Sequence, residues 1–109
     1  MTRLPETFSA LGDTTRFAIV ERLLNEGELS AGDLQAVADI SAPAISRHLK
    51  VLRNAGVINQ RVDKQRRLYT VEPKAIMGIN AWIEYHRKFW ETSLDRLAKA
   101  LKKKEKDDG

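Results

Sequence analysis

The fold of this chain is decided by residues 40–71, which read ISAPAISRHLKVLRNAGVINQRVDKQRRLYTV. Ser41 is a good N-cap for a helix, because its side-chain oxygen can accept one of the N–H groups that the first turn leaves unpaired. Pro43 suits that first turn, where the N–H that proline lacks has no intrahelical partner. Gly56 is suited to end the helix. These signals predict a helix over residues 42–55.

The predicted helix has one apolar face and one polar, basic face. On a helical wheel, Ile45, Leu49 and Leu52 lie within about 60° of one another, so we expect this face to be in the core. The opposite face carries Pro43, Ser46, Arg47, Lys50 and Asn54. The helix is therefore predicted to turn its basic side chains to solvent.

Two runs of strand composition follow the helix, at 57–62 and 66–71, with a charged turn between them. From Ser41 to Val71 the chain has seven Lys or Arg residues against one acidic residue, Asp63, whereas its net charge is +4. The positive charge is concentrated on one helix and one β-hairpin. That distribution is typical of proteins that bind nucleic acid.

Composition narrows the class of protein. A length of 109 residues suits one domain, predicted over 1–101, and the charged segment 102–109 is expected to be a disordered tail. The chain has no cysteine, which excludes disulfides and thiolate metal sites. No apolar run approaches the roughly 20 residues of a membrane span, and the N-terminus lacks the apolar core of a signal peptide. We expect a cytoplasmic, nucleoid-associated protein with no membrane partner.

Three helices are predicted before the deciding stretch. The first opens at Pro5, the second is capped by Asp13, and the third is capped by Ser30 after a short extended segment at 28–29. The second helix is predicted to place on its core face Phe17, Val20, Leu23 and Leu24.

A long helix is predicted from Pro73 to about Leu101, because apolar residues recur there every three or four positions. Trp82, Tyr85 and Phe89 broaden the apolar stripe beyond what one small domain needs to cover a surface helix. The surplus indicates a partner subunit. The predicted order of elements is α-α-β-α-α-β-β-α, a mainly α fold with a small β-hairpin.

The chain resembles the ArsR/SmtB family of bacterial repressors from Phe8 to Leu101. The likeness is carried by SAPAISRHLKVLRNAGVI at 41–58 and by LGDTTR at 11–16. The segment FWETSLDRL at 89–97 is similar to a subgroup of that family that metal ligands do not define. The resemblance implies a winged helix-turn-helix fold and a homodimeric transcriptional repressor that binds double-stranded DNA at an inverted-repeat operator.

The resemblance also implies which residues contact DNA. Arg47 is expected to read guanine in the major groove, whereas Lys50 and Arg53 are expected to meet phosphate. The basic residues of the hairpin, or wing, are expected to reach the backbone or the minor groove. The full set is Ser41, Ala42, Pro43, Ser46, Arg47, Lys50 and Arg53 on the helix and Lys64, Arg66 and Arg67 on the wing. His48 borders the core face and is predicted to form hydrogen bonds within the domain.

The dimer interface is predicted on the first and last helices. Its residues are Phe8, Leu11, Ile79, Trp82, Ile83, His86, Phe89, Trp90, Leu94 and Leu97.

Neither metal site known in the family is complete in this chain. Ser30 and Gly32 stand at the two cysteine positions of the thiolate site. In the site on the last helix, Leu97 and Ala100 stand where relatives have a histidine and a glutamate. Zinc takes about four N, O or S ligands, so we predict no metal and no cofactor.

Two other functions share parts of this pattern. A nucleoid-type protein that binds DNA without sequence preference would have the same charge distribution, and a protein-interaction module could use the aromatic face of the last helix. An enzyme is not indicated, because there is no nucleophile–base pair, no Gly-rich phosphate loop and no paired carboxylates at an evident pocket. The sequence leaves three alternatives for the signal: a small organic inducer at the dimer interface near Trp82, Tyr85, His86 and Trp90, a partner protein, or nothing beyond the concentration of the protein.

Overall fold

The computed structural model describes residues 3–108, with side chains as far as residue 105. Within this range the elements follow the predicted order α-α-β-α-α-β-β-α. They are α1 Leu4–Leu11, α2 Thr14–Glu26, β1 Leu29–Ser30, α3 Ala31–Ala38, α4 Ala42–Asn54, β2 Ile58–Asp63, β3 Arg66–Val71 and α5 Pro73–Asp108.

Side-chain caps begin the helices where the sequence predicts. The Asp13 carboxylate accepts the N–H of Arg16 at 3.0 Å at the start of α2. At the start of α3, the Ser30 hydroxyl accepts the N–H of Asp33 at 3.2 Å, and the Asp33 carboxylate accepts the N–H of Ser30 at 3.1 Å. This reciprocal pair is a capping box, which satisfies two donors that the helix itself leaves unpaired.

The predicted hairpin is confirmed and gains a third strand. The sheet is antiparallel in the order β1-β3-β2. Arg61 on β2 lies opposite Leu68 on β3, and Ser30 on β1 lies opposite the same leucine. The short extended segment before α3 therefore forms one edge of the sheet, and β2 forms the other.

The described chain divides into two compact units, Met1–Gly78 and Ile79–Gly109. The first unit holds the hydrophobic core, whose six largest fully buried side chains come from α2, α3, α4 and the residue before β2. They are Ile19, Leu34, Ile45, Leu49, Leu52 and Val57. The predicted burial of one face of α4 is thus confirmed.

The predicted core face of α2 is partly wrong. Val20 and Leu23 are buried, but Phe17 is 50% exposed and Leu24 is 56% exposed, whereas Ile19 is fully buried. On a wheel, Ile19, Leu23 and Val20 span about 100°, and Phe17 and Leu24 lie beyond the Val20 edge of that arc. The helix is therefore rotated from the predicted orientation toward Ile19.

The second unit consists of the rest of α5. The helix continues to Asp108, so the segment predicted to be a disordered tail is helical as far as the structure describes it, and Gly109 lies outside the described residues. The extension has a physical reason. Lys and Glu have high helix propensity, and the segment 102–108 contains neither glycine nor proline.

Three polar side chains connect α1, α2 and α4. Arg16 Nε donates to the carbonyl oxygen of Ala10 at 2.6 Å, and Arg16 Nη1 lies 3.4 Å from Nδ1 of His48. An oxygen of Asp13 lies 3.9 Å from the same ring nitrogen. His48 therefore bonds within the domain, as predicted.

Acid should weaken the fold through Asp13. The N–H of Arg16, the largest cause, and the charges of Arg16 and His48 hold the pKa of Asp13 below its ordinary value of 3.8. A carboxylate with a lowered folded-state pKa contributes stability above its unfolded pKa and loses that contribution as the pH falls through the folded pKa. Asp13→Asn keeps a capping oxygen but removes the charge, so its free energy of unfolding should approach that of the wild type between pH 4 and pH 2. Urea unfolding across this range measures the difference, and a constant difference would contradict the expectation.

Candidate nucleic-acid interface

The exposed face of α4 carries most of the predicted DNA-contacting residues. Because Ile45, Leu49 and Leu52 are at most 2% exposed, the side chains on the other side of this helix face solvent. All six that were predicted within the helix are exposed: Ala42, Pro43, Ser46, Arg47, Lys50 and Arg53. In the described part of the chain no carboxylate pairs with these three cations, which leaves their charges available to an anion.

The start of α4 is fixed by Ser41. Its hydroxyl oxygen accepts the N–H of Ala44 at 3.3 Å, which confirms the predicted cap. A serine hydroxyl can donate one hydrogen bond while it accepts another. Ser41 is exposed, so its O–H remains available to a phosphate oxygen beside the helix N-terminus.

The turn from α3 into α4 is held by the chain itself. Asp39 ends α3 in the left-handed conformation, with φ 50°. The side-chain amide of Gln35 donates to the carbonyl oxygen of Ile40 at 3.1 Å. These two features turn the backbone between the helices and so set the position at which α4 begins.

The tip of the wing carries the remaining predicted residues. Asp63 and Arg66 form the last pair of the β2–β3 register, and Lys64 occupies the turn between them with φ 59°. Lys64, Arg66 and Arg67 are all exposed. The hairpin thus presents these three cations at its turn. The opposite end of the hairpin is packed against the core, where Ile58 is buried and Val71 is partly buried.

One cation of the basic stretch is already paired. Arg61 Nε and Nη2 each donate to an oxygen of Glu28 at 2.6 Å. The hydrogen bonds from Arg61 are the largest cause of the lowered pKa of Glu28, and the charge of Arg66 lowers it further. The hydrogen bonds to Glu28 likewise raise the pKa of Arg61. The charge count of the sequence missed this pair, because Glu28 precedes Arg61 by 33 positions and no local pattern connects them.

The predicted dimer residues divide between α1 and α5. On α1, Phe8 is 42% exposed and Leu11 is partly buried. On α5, six apolar side chains predicted at the interface are between 46% and 63% exposed: Trp82, Ile83, Phe89, Trp90, Leu94 and Leu97. Ile79 and His86 are partly buried, and the His86 ring lies 4.9 Å from that of Trp82. Such a long exposed apolar surface is unusual for a monomer in water.

The family's metal positions do not fit a metal in this chain. The Ser30 hydroxyl and backbone already bond Asp33 in the capping box of α3, and Gly32 has no side chain. Leu97 and Ala100 have no donor atoms. Among residues 3–108, no three His, Cys, Asp or Glu side chains lie close enough to hold one ion. In the same residues, no helix is both long and apolar enough to span a bilayer.

Comparison with known proteins places this geometry in a family. Residues 13–60 match the model described as "Bacterial regulatory protein, arsR family". The chain is 36% identical over 94 residues to the HTH-type transcriptional regulator Rv2034 of Mycobacterium tuberculosis, which covers 86% of this chain and 84% of that protein. It is 34% identical to the transcriptional repressor SdpR of Bacillus subtilis, over 70% of this chain and 83% of that protein.

Solved structures agree with the sequence relatives. A crystal structure of an ArsR family transcriptional regulator superposes with a TM-score of 0.73 at 27% identity, covering 82% of this chain and 91% of that one. The solution structure of a homodimeric winged helix-turn-helix DNA-binding domain from Mycobacterium bovis superposes with a TM-score of 0.61 at 18% identity, over 78% of this chain and 83% of that one. The second likeness shows the fold alone.

The helix-turn-helix of α3 and α4, the wing of β2 and β3, and these relatives lead to one assignment. The predicted fold and family are confirmed, and the family consists of regulators rather than enzymes. The chain belongs to the ArsR family and is a DNA-binding winged helix-turn-helix transcriptional repressor.

Proposed function

We propose that two copies of this chain bind an inverted-repeat operator and repress transcription by occupying a promoter. The observation that carries the proposal is the exposed basic face of α4, directly opposite its buried face. A two-fold symmetric dimer presents two such helices, so its half-sites lie about 34 Å apart, or a multiple of that distance. Such a repressor works on cytoplasmic, nucleoid-associated DNA.

The residues of α4 divide by the part of DNA that they reach. Arg47 projects from the N-terminal half of the helix, and its planar guanidinium can donate two hydrogen bonds to one guanine. Ser46 contacts a base edge or a phosphate. The small side chain of Ala42 lets the helix backbone approach DNA and can itself touch a thymine methyl. Lys50 and Arg53, farther along the helix, bind phosphates.

The wing adds affinity without reading sequence. Lys64 and Arg67 have no ion-pair partner in the described part of the chain, and both stand at or beside the turn. Lys and Arg near phosphates release condensed counterions, which makes binding strong at low salt and weak at high salt. Arg66 contributes to the same contact, although its charge also faces Glu28 and Asp33.

The dimer forms through the apolar stripe of α5 together with Phe8 and Leu11 of α1. On a wheel, Ile83, Trp90, Leu94 and Leu97 lie within about 60° of one another, a width suited to packing against a second helix. The Mycobacterium bovis domain, which has the same fold, is described as homodimeric.

Regulation does not use a bound metal. Four of the positions at which relatives hold metal are Ser30, Gly32, Leu97 and Ala100, and they supply no thiolate, imidazole or carboxylate. An organic inducer at the aromatic cluster of Trp82, Tyr85, His86 and Trp90, or a partner protein, is the alternative signal. The rings of Tyr85 and His86 meet edge to face with centroids 4.9 Å apart.

The two roles of α4 and the wing are separable by mutation. Duplexes selected by the wild type from a random library supply the operator, and a scrambled duplex supplies the reference. Arg47→Ala should weaken operator binding by about 5- to 150-fold, roughly 1–3 kcal/mol, with a much smaller loss on the scrambled duplex. Lys64→Ala should weaken binding to the operator and to the scrambled duplex by the same factor. It should also lower by about 1 the salt slope, which is the decrease in log K for each unit increase in the log of the salt concentration.

Arg96→Ala and Lys99→Ala, two exposed cations on α5, are the matched controls in this anisotropy titration. A wild type that selects no inverted repeat over random duplex would contradict sequence-specific repression and favour a nucleoid-type protein. No measurable DNA affinity, together with a co-purified partner, would favour an interaction module.

Dimerisation should depend on the side of α5 that is changed. Leu94→Arg places a charge in the stripe twice per dimer, so it should weaken the dimer by at least about a hundredfold. Thr92→Arg adds the same charge about 160° away on the wheel, at an exposed position, and should leave the dimer intact. Sedimentation equilibrium measures the dimer dissociation constant of each variant, and equal dissociation constants for the two variants would contradict the proposed interface.

Metal analysis of the purified protein tests the proposal that the protein is not regulated by a bound metal. We expect far less than one zinc ion per subunit after brief dialysis, because no full set of ligands is present at the family positions. One tightly held, stoichiometric zinc per subunit would contradict it.

A further inference from the structure

The pairing of Arg61 with Glu28 spans the whole sheet. Arg61 lies on β2, one edge strand, and Glu28 directly precedes β1, the other edge strand. Leu68 of the middle strand is the register partner of both Arg61 and Ser30. The arginine side chain therefore reaches across β3 to form its two 2.6 Å hydrogen bonds. We call this contact the Arg61–Glu28 bridge.

The bridge lies on the outer face of the sheet. Tyr69 and Ile58 are buried in the core, and because side chains alternate along a strand, Leu68 and Arg61 point to the opposite face. Leu68 is nevertheless only 7% exposed. Leu68 is therefore nearly buried although it lies on the outer face, and Arg61 is its partner in the register.

Arg61 stands close to the proposed DNA contact but is turned from it. It precedes Asp63, the last residue of β2, by two strand positions, about 7 Å, and Lys64 occupies the turn that follows. An arginine side chain at this position is long enough to approach the stretch of DNA backbone that the tip would contact. Its side chain is 58% exposed, so burial does not hold it in place. What holds it is a bidentate bond to a carboxylate, the geometry that a guanidinium would otherwise offer to a phosphate.

We propose that Glu28 limits the sequence-independent DNA affinity of the wing by keeping Arg61 from phosphate. Arg61 is then a positioning residue that braces β2 against β1 and contributes no counterion release. This inference rests on the proposed DNA contact of the wing. Glu28 stays ionised at neutral pH, since Arg61 and Arg66 lower its pKa.

The Arg61–Glu28 bridge is expected to affect DNA binding more than it affects the stability of the fold. An exposed ion pair contributes little to folding, because water and salt screen it and because both side chains lose freedom. Its effect on DNA binding is larger, since each additional phosphate neutralised adds about 0.9 to the salt slope. At 0.15 M salt this corresponds to about a fivefold gain in affinity for any duplex.

The test measures binding to a random duplex from 0.05 to 0.3 M salt. Glu28→Gln should bind about fivefold more tightly at 0.15 M salt, with a slope steeper by about 0.9. Glu28→Ala, which also removes the hydrogen-bond acceptor, should gain at least as much. Glu21→Gln makes the same change of charge at an exposed position of α2 and should leave the slope unchanged.

The double variant Glu28→Gln/Arg61→Gln is the decisive arm, because its net charge equals that of the wild type. It should return the slope and the affinity to wild-type values. A double variant with a slope lower by about 0.9 would show that Arg61 already binds phosphate in the wild type and would overturn the inference. A Glu28→Gln slope equal to the wild-type slope would overturn it as well.

Two controls keep the outcomes distinct. Cooperative thermal unfolding confirms that each variant is folded, and Glu28→Ala replaces Glu28→Gln if the latter is not. If the wild type binds no duplex at 0.05 M salt, the proposed function itself fails. If the wild type binds with a clear salt slope and the variants do not follow the pattern above, only the role of Glu28 fails.

Discussion

Burial of one face of α4 is the constraint on which the arrangement of its exposed basic residues depends. Each residue turns a helix by about 100°, so the positions of Ile45, Leu49 and Leu52 in the core determine where every other side chain of α4 points. A rotation by one residue would bring Ser46 and Lys50 into the core, at a prohibitive cost for the charged group. The same helical periodicity therefore determines which residues of α4 pack in the core and which basic residues are exposed.

The features that the sequence predicts correctly are those that short segments determine. The caps at Asp13, Ser30 and Ser41 each join a side chain to a backbone N–H three positions later, so the local sequence is enough to locate them. The strand composition of the hairpin and the periodicity of α4 are likewise contained within a few residues. For this reason the order of elements, the helix-turn-helix and the exposed basic residues were all predictable.

The features that it misses depend on how distant segments meet. Ile19, not Phe17, is buried because the core face of α2 is set by the helices and strands packed against it, and both residues are apolar enough for either position. The bond between Arg61 and Glu28 joins residues 33 positions apart, which no local pattern reveals. His48 was predicted to bond within the domain, but its partners Arg16 and Asp13 became known only from the fold. Net charge in a sequence window therefore overstates the charge that a surface offers.

The left-handed backbone of Lys64 links the charge at the tip of the wing to the stability of the hairpin. A residue with a Cβ atom at φ 59° is strained by roughly 1 kcal/mol, a strain that glycine at this turn would not have. The cation at the tip is therefore present at the expense of hairpin stability. Glycine at this position would relieve the strain but would also remove the charge, so the turn of the wing has either a cation or a relaxed backbone, and not both.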